Sequence, residues 1–118
     1  MADTGPVVVV IATDPRASHR ANEALRIALG IVAGENDVIV VLRGAGVHLL
    51  DADTDDLVDG DDIARFRANL KKLDIPFHVD PDAIPADPHW NADGHRVVPS
   101  STGEIATLMR QGRRFIVF

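Results

Sequence analysis

The chain has 118 residues, 46% hydrophobic and 25% charged, with a net charge of -6 from 12 Lys+Arg and 18 Asp+Glu. That balance describes one soluble globular domain, large enough to bury about two thirds of its unfolded surface without a disulfide or metal staple. The chain has no cysteine, which excludes persulfide, thiolate, disulfide-exchange and cysteine-metal chemistry by this chain alone, and its acidity disfavours nucleic-acid backbones.

The opening Met-Ala-Asp-Thr-Gly-Pro has neither a basic n-region nor a cleavable leader, and the apolar run Val7–Ala12 is too short to span a bilayer. The expectation is a cytoplasmic protein with no membrane anchor. Val7–Ile11 is a β-branched run without polar alternation, as in a parallel strand covered on both faces. Thr13-Asp14-Pro15 breaks it. Ala21, Ala24, Leu25, Ala28, Leu29 and Val32 recur at helical spacing, with Arg20, Glu23 and Arg26 off the stripe. They predict an amphipathic helix over 16–33, ended near Gly34. Asp37–Leu42 is a second buried strand, and strand, helix and strand form a βαβ unit.

Gly44-Ala45-Gly46 is a tight turn and Val47–Leu50 one helical turn. An acidic stretch, Asp51–Asp62, leads into a helix over 61–73 carried by Ile63, Phe66, Leu70 and Leu73. Asp61 and Asp62 at its start and Lys71 and Lys72 at its end suit the macrodipole. Pro76–Val79 is a short third strand. Asp80–Gly94 holds four Pro or Gly among fifteen positions and reads as a long loop. Arg96–Val98 is a short strand. A helix over 102–111 follows, with Ser101 and Glu104 spaced for a capping box. Arg113–Phe118 is a fifth strand, and its apolar character predicts an interior place in the sheet. The order β-α-β-α-α-β-β-α-β gives a three-layer α/β sandwich on a mostly parallel five-stranded sheet, one domain over residues 1–118.

Charge is unevenly spread. Residues 51–93 hold 12 acidic and 4 basic side chains, a net of -8; the rest of the chain nets +2. A solvated acidic face is the simpler account, and a self-complementary oligomer surface the alternative.

Chemical motifs are sparse. Gly44-x-Gly46 lacks the third glycine of a dinucleotide fingerprint, because Leu49 stands there. No Gly-Lys-Ser/Thr phosphate loop exists. Asp51–Asp62 carries oxygen side chains at several EF-hand positions, but Asp56 replaces the turn glycine and Asp62 the bidentate glutamate. His89 and His95, beside Asp87 and Asp93, have looser spacing than small zinc sites use. The reading is therefore no metal and no cofactor. Ser100 and Ser101 suit helix capping better than nucleophilic catalysis, and adjacent Ser18 and His19 diverge on a helix. Trp90, alone of its kind, is either a lid on its own core or an interface anchor.

Four segments together resemble the DsrE/DsrF-like family of sulfur-relay subunits. These are Val7–Thr13 followed by Arg20-Ala-Asn-Glu-Ala-Leu-Arg-Ile-Ala; Val38–Leu42 with Gly44-Ala-Gly46-Val47; Asn69-Leu-Lys-Lys-Leu-Asp-Ile-Pro-Phe77; and Gly103–Phe118 with its Leu108-Met109 and Phe115-Ile-Val-Phe118. The resemblance implies the fold and a habit of forming dimers, trimers or hexamers. It also implies a persulfide-bearing cysteine after the third strand in active members. Here that stretch reads Phe77-His78-Val79-Asp80-Pro81-Asp82, so relay activity does not carry over.

The leading expectation is a non-catalytic, homo-oligomerising subunit linked to sulfur metabolism, partner of a cysteine-bearing relative. The alternative is a small-molecule or metal-binding enzyme with its pocket at the carboxyl ends of the strands. Thr13 and Asp14, Arg43 and Gly44, His78 and Asp80 would then line that pocket, with Arg43 either holding an anion or paired with Asp14. A third reading is an interaction module without ligand.

Overall fold

The computed structural model describes residues 5–112 and 114–118. Five strands form one parallel sheet: β1 (Val7–Ile11), β2 (Val38–Leu42), β3 (Phe77–Val79), β4 (Val97–Pro99) and β5 (Arg114–Val117), in the order β4-β3-β2-β1-β5. Three helices cover it: α1 (Arg20–Ala33), α2 (Gly60–Lys72) and α3 (Thr102–Gln111). Among the described residues no helix is long and apolar enough to cross a membrane.

The side-chain alternation of β1 divides the core. Val9 and Ile11, with Val40 and Leu42 of β2, pack in one cluster with Ala21, Ala24, Leu25 and Ala28 of α1 and Ile63 and Leu70 of α2. Val8, Val10 and Val41 face the other way and meet Ile105 of α3. All five residues of β1 are buried, as expected of a parallel strand with a helical layer on each side.

α1 begins at Arg20, four residues later than predicted. The Asp14 carboxylate accepts the Arg16 backbone N–H at 2.9 Å, and the Asp14 carbonyl accepts from Ala17 and Ser18. This local turn satisfies the backbone groups that a longer helix would have used. Gly44–Leu50 forms a continuous seven-residue 3₁₀ helix, where a turn and one helical turn were expected. Two further short 3₁₀ turns lie at Thr54–Asp56 and Pro81–Ala83. The capping box of α3 is present: Ser101 Oγ accepts the Glu104 N–H at 3.1 Å, and Glu104 accepts the Ser101 N–H at 3.0 Å.

The position of β5 corrects an expectation. It lies at the sheet edge beside β1, and Phe115 and Val117 are 52% and 51% exposed. An apolar strand packs equally well against one neighbour or two, so the run itself does not specify an interior position. Arg113, placed at the start of this strand from the sequence, lies outside the described residues.

The long segment 80–96 is tied to the 3₁₀ helix and to α2. Trp90 Nε1 donates to the Val47 carbonyl at 2.8 Å, and Asn91 N–H donates to Leu50 O at 2.8 Å. The buried Arg67 of α2 donates to Leu49 O, Asp51 O and the Asp93 carboxylate at 2.7–2.9 Å. The indole of Trp90 also packs against the larger core cluster. Trp90→Ala removes this packing and leaves the Val47 carbonyl without its donor. The expected loss is about 2–4 kcal/mol of folding stability, somewhat below that of a wholly buried aromatic. Urea unfolding of the variant checks it; a loss under about 0.5 kcal/mol would show the loop is not pinned by this residue.

Candidate functional site

The six strand-end candidates fall into two groups that no hydrogen bond joins. Thr13, Asp14, Arg43 and Gly44 lie at the ends of β1 and β2. His78 lies on β3 and Asp80 just beyond its end, on the side of β4 and the start of α3.

At the first group the strand ends are closed by backbone. Gly46 sits on the carbonyl of Ile11, where a Cβ would come within 2.2 Å of the oxygen. Gly44, at φ +50°, turns the chain from β2 into the 3₁₀ helix. The Thr13 hydroxyl oxygen is shielded from solvent with no hydrogen-bond partner among the described residues. Asp14 does not pair with Arg43. It pairs with Arg16 through Nε at 3.0 Å and Nη2 at 2.9 Å, because the turn at Pro15 brings that guanidinium back over its carboxylate. The Arg16 side-chain bonds are the largest of the influences that lower the Asp14 carboxyl below its ordinary value. Arg43 is exposed. His48 Nδ1 lies 3.0 Å from Asp51, a local pair on the 3₁₀ helix.

The second group opens onto a cleft of about 510 Å³ between β3, β4 and α3, lined by His78, Val98, Ser100, Ser101, Glu104 and Leu108 among others. Ser100, read from the sequence as a cap, instead bonds to the sheet. Its buried hydroxyl lies 3.2 Å from the Val98 carbonyl and 3.3 Å from His78 Nδ1. The hydroxyl proton belongs on the carbonyl, which can only accept. Nδ1 then carries hydrogen and donates to Ser100 Oγ. Burial first, and the Arg96 charge second, push the His78 imidazole below its ordinary value. A neutral ring with Nδ1–H leaves Nε2 as an acceptor. The cleft thus offers a proton acceptor, two apolar walls and an α3 N-terminus already closed by the Ser101–Glu104 capping box. It offers no activated nucleophile, since the Ser100 proton faces a carbonyl rather than a base.

Asp80 is occupied structurally. One carboxylate oxygen accepts the Asp82 N–H at 3.0 Å and the other accepts the Thr102 hydroxyl at 3.2 Å. His89 and His95 do not form a site together. His89 is exposed beside Trp90, Asp87 and Asp53 in a cleft of about 220 Å³. His95 is buried edge-on to the Phe77 ring, with centroids 6.0 Å apart. Among the described residues no group of three or more His, Cys, Asp or Glu is placed to hold a metal ion. Sequence reasoning missed Ser100 and Leu108 as cleft residues; the placement of Ser100 two residues beyond Val98 at a strand end was the available signal.

His95 is also pushed below its ordinary value, by burial first and then by Arg67 and Lys71, against a smaller opposing effect of Asp93. Both His78 and His95 therefore titrate lower in the folded chain than in the unfolded one. The unfolded state binds their protons first as pH falls, so their contribution to stability is full above about pH 6.5 and declines below it. It is lost as pH drops through the folded-state values. Thermal unfolding between pH 7.5 and 5 should show this decline. His95→Phe, which keeps a ring against Phe77 and removes the titration, should flatten the curve; an unchanged slope would remove His95 from the account.

The DsrE/DsrF-like family model matches residues 6–118. The crystal structure of the ychN protein from E. coli superposes with a TM-score of 0.75 at 17% identity, covering 97% of this chain and 99% of that one. That likeness shows a shared fold. No curated protein matches the chain by sequence. With the family match spanning nearly all of its length, the chain belongs to the DsrE/DsrF-like family.

Proposed function

We propose that this chain is a non-catalytic, oligomerising DsrE-like subunit of the cytoplasm, linked to sulfur metabolism as the partner of a cysteine-bearing relative. The observation that carries this reading is the absence of any cysteine in a chain that keeps the fold. Where the family resemblance implies a sulfur-carrying cysteine, after β3, stands Asp80, whose two carboxylate oxygens hold Asp82 and Thr102. A carboxylate does not carry transferable sulfane sulfur. The enzyme reading is weaker, because Asp14, Arg43 and His78 do not converge and Asp14 is committed to Arg16.

Support for assembly comes from the sheet. Parallel sheets are ordinarily covered on both faces. Here, among the described residues, α3 alone covers one face, and only Ile105 of the helix is buried. Phe115 and Val117 remain half exposed on that side, as do the apolar walls of the His78 cleft. Trp90 is not needed as the anchor, since its Nε1 bonds within its own chain.

Incubation with a cysteine desulfurase and labelled cysteine tests the sulfur part. The isolated chain should stay unlabelled, and label should appear on a cysteine-bearing DsrE-like protein when one is added. Stable stoichiometric labelling of this chain would overturn the reading.

Sedimentation equilibrium at micromolar concentration tests assembly. The expected species is a dimer, trimer or hexamer that persists in moderate salt, because buried apolar surface is screened far less than rim charges. A 12.7 kDa species alone would defeat it.

A further inference from the structure

We infer that two copies of this chain join through the free edge of β5, antiparallel and about a two-fold axis at Ile116. The inference rests on the assembly reading above and specifies its contact.

The two edges of the sheet differ. The β4 edge is three residues long and ends in Pro99, which has no N–H to offer. Short strands and prolines are devices that keep sheet edges from pairing. β5 carries no proline or lysine; its one charge, Arg114, stands at its start, and Phe115-Ile116-Val117 follow without another.

Backbone direction along β5 follows from its bonds to β1. Phe118 N–H donates to Val10 O, and Phe118 O accepts the Ala12 N–H, both at 2.8 Å. Phe118 therefore turns its backbone groups inward, as does Ile116 two residues earlier. Phe115 and Val117 turn their N–H and C=O outward along the free edge. Their side chains, in register with Val8 and Val10, stand on the α3 face of the sheet and are half exposed. The same two residues thus leave both backbone and apolar side chains uncovered.

A second copy fits this edge by symmetry. An antiparallel two-fold through Ile116 sets Phe115 of each copy opposite Val117 of the other. Those are the hydrogen-bonded positions, so four N–H···O bonds form and each phenyl ring meets a β-branched partner. Ile116 meets its own counterpart at the close, non-hydrogen-bonded position, with Cα atoms about 4.5 Å apart. No other register across this edge pairs both apolar residues with each other. The strands alone are smaller than a standard interface of ~1,600 Å². The half-exposed Phe115 and Val117 side chains add apolar area on the α3 face of the sheet.

The absence of native cysteine makes the test clean. Ile116→Cys in the full chain should give a disulfide-linked dimer under mild oxidation, because that Cα separation falls within disulfide range. Leu73→Cys, at the C-cap of α2 and more exposed than Ile116, is the control and should remain uncross-linked. Val117→Lys should halve the mass of the assembly in sedimentation equilibrium while leaving the circular dichroism unchanged. Rapid cross-linking at 116 but not at 73 supports the pairing. An assembled wild type in which Ile116→Cys fails to cross-link overturns the pairing and leaves assembly standing; the edge then belongs to another contact or to an extended segment of a different chain. A monomeric wild type overturns both.

Discussion

β1 is buried along its whole length on both faces, and that burial requires helices above and below it. Each fully buried valine or isoleucine contributes roughly 1.5–3 kcal/mol, so exposing either face would be costly. The chain meets the requirement unevenly. α1 approaches the sheet closely through Ala21, Ala24 and Ala28, and α2 lies beside it with Ile63 and Leu70. On the opposite face, among the described residues, α3 stands alone and reaches Val8, Val10 and Val41 through Ile105. One ten-residue helix cannot cover five strands. Its two margins are the His78 cleft beside β3 and β4, and the Phe115–Val117 strip on β5. Both of the features singled out for function are consequences of that one missing helix.

The same economy explains how the chain's own backbone closes over the ends of β1 and β2. In open α/β sheets a ligand enters where loops part beyond the carboxyl ends of the strands. Here the chain leaves β2 at Arg43, turns at Gly44 and presses Gly46 onto the Ile11 carbonyl. The 3₁₀ helix that follows buries Val47, Leu49 and Leu50. Arg67, Trp90 and Asn91 then fasten it to α2 and to the 80–96 segment. The space a ligand would use is filled by the protein's own backbone, and Asp14 and Arg43 are left at its rim.

The parts legible in the sequence are those where local pattern and final environment coincide. The unbroken Val7–Ile11 run required two-sided burial, and the Ser101–Glu104 spacing required a cap; both depend on residues within a few positions. The misreadings share a different cause. Phe115-Ile116-Val117 is apolar whether its neighbours number one or two, so its edge position is a property of topology. The start of α1 moved because Asp14 bonds Arg16 across Pro15, a competition between a turn and a helix that helical periodicity does not register. Ser100 was read as a cap because it precedes a helix, while its partner His78 lies 22 positions away on another strand.

Asp80 shows how the family fold can persist without a sulfur-carrying residue at this point. The position closes the turn Pro81–Ala83 and, through Thr102, ties the end of β3 to the start of α3. A carboxylate makes both bonds at once because it has two acceptor oxygens; a thiol is a weak acceptor and cannot. On the same strand the His78 ring donates its Nδ1–H to Ser100, and burial first and the Arg96 charge second push it below its ordinary value. The surroundings of the third strand's end are therefore those of a structural joint. Under the proposed reading, contacts with other copies would draw on the surfaces that α3 leaves uncovered among the described residues.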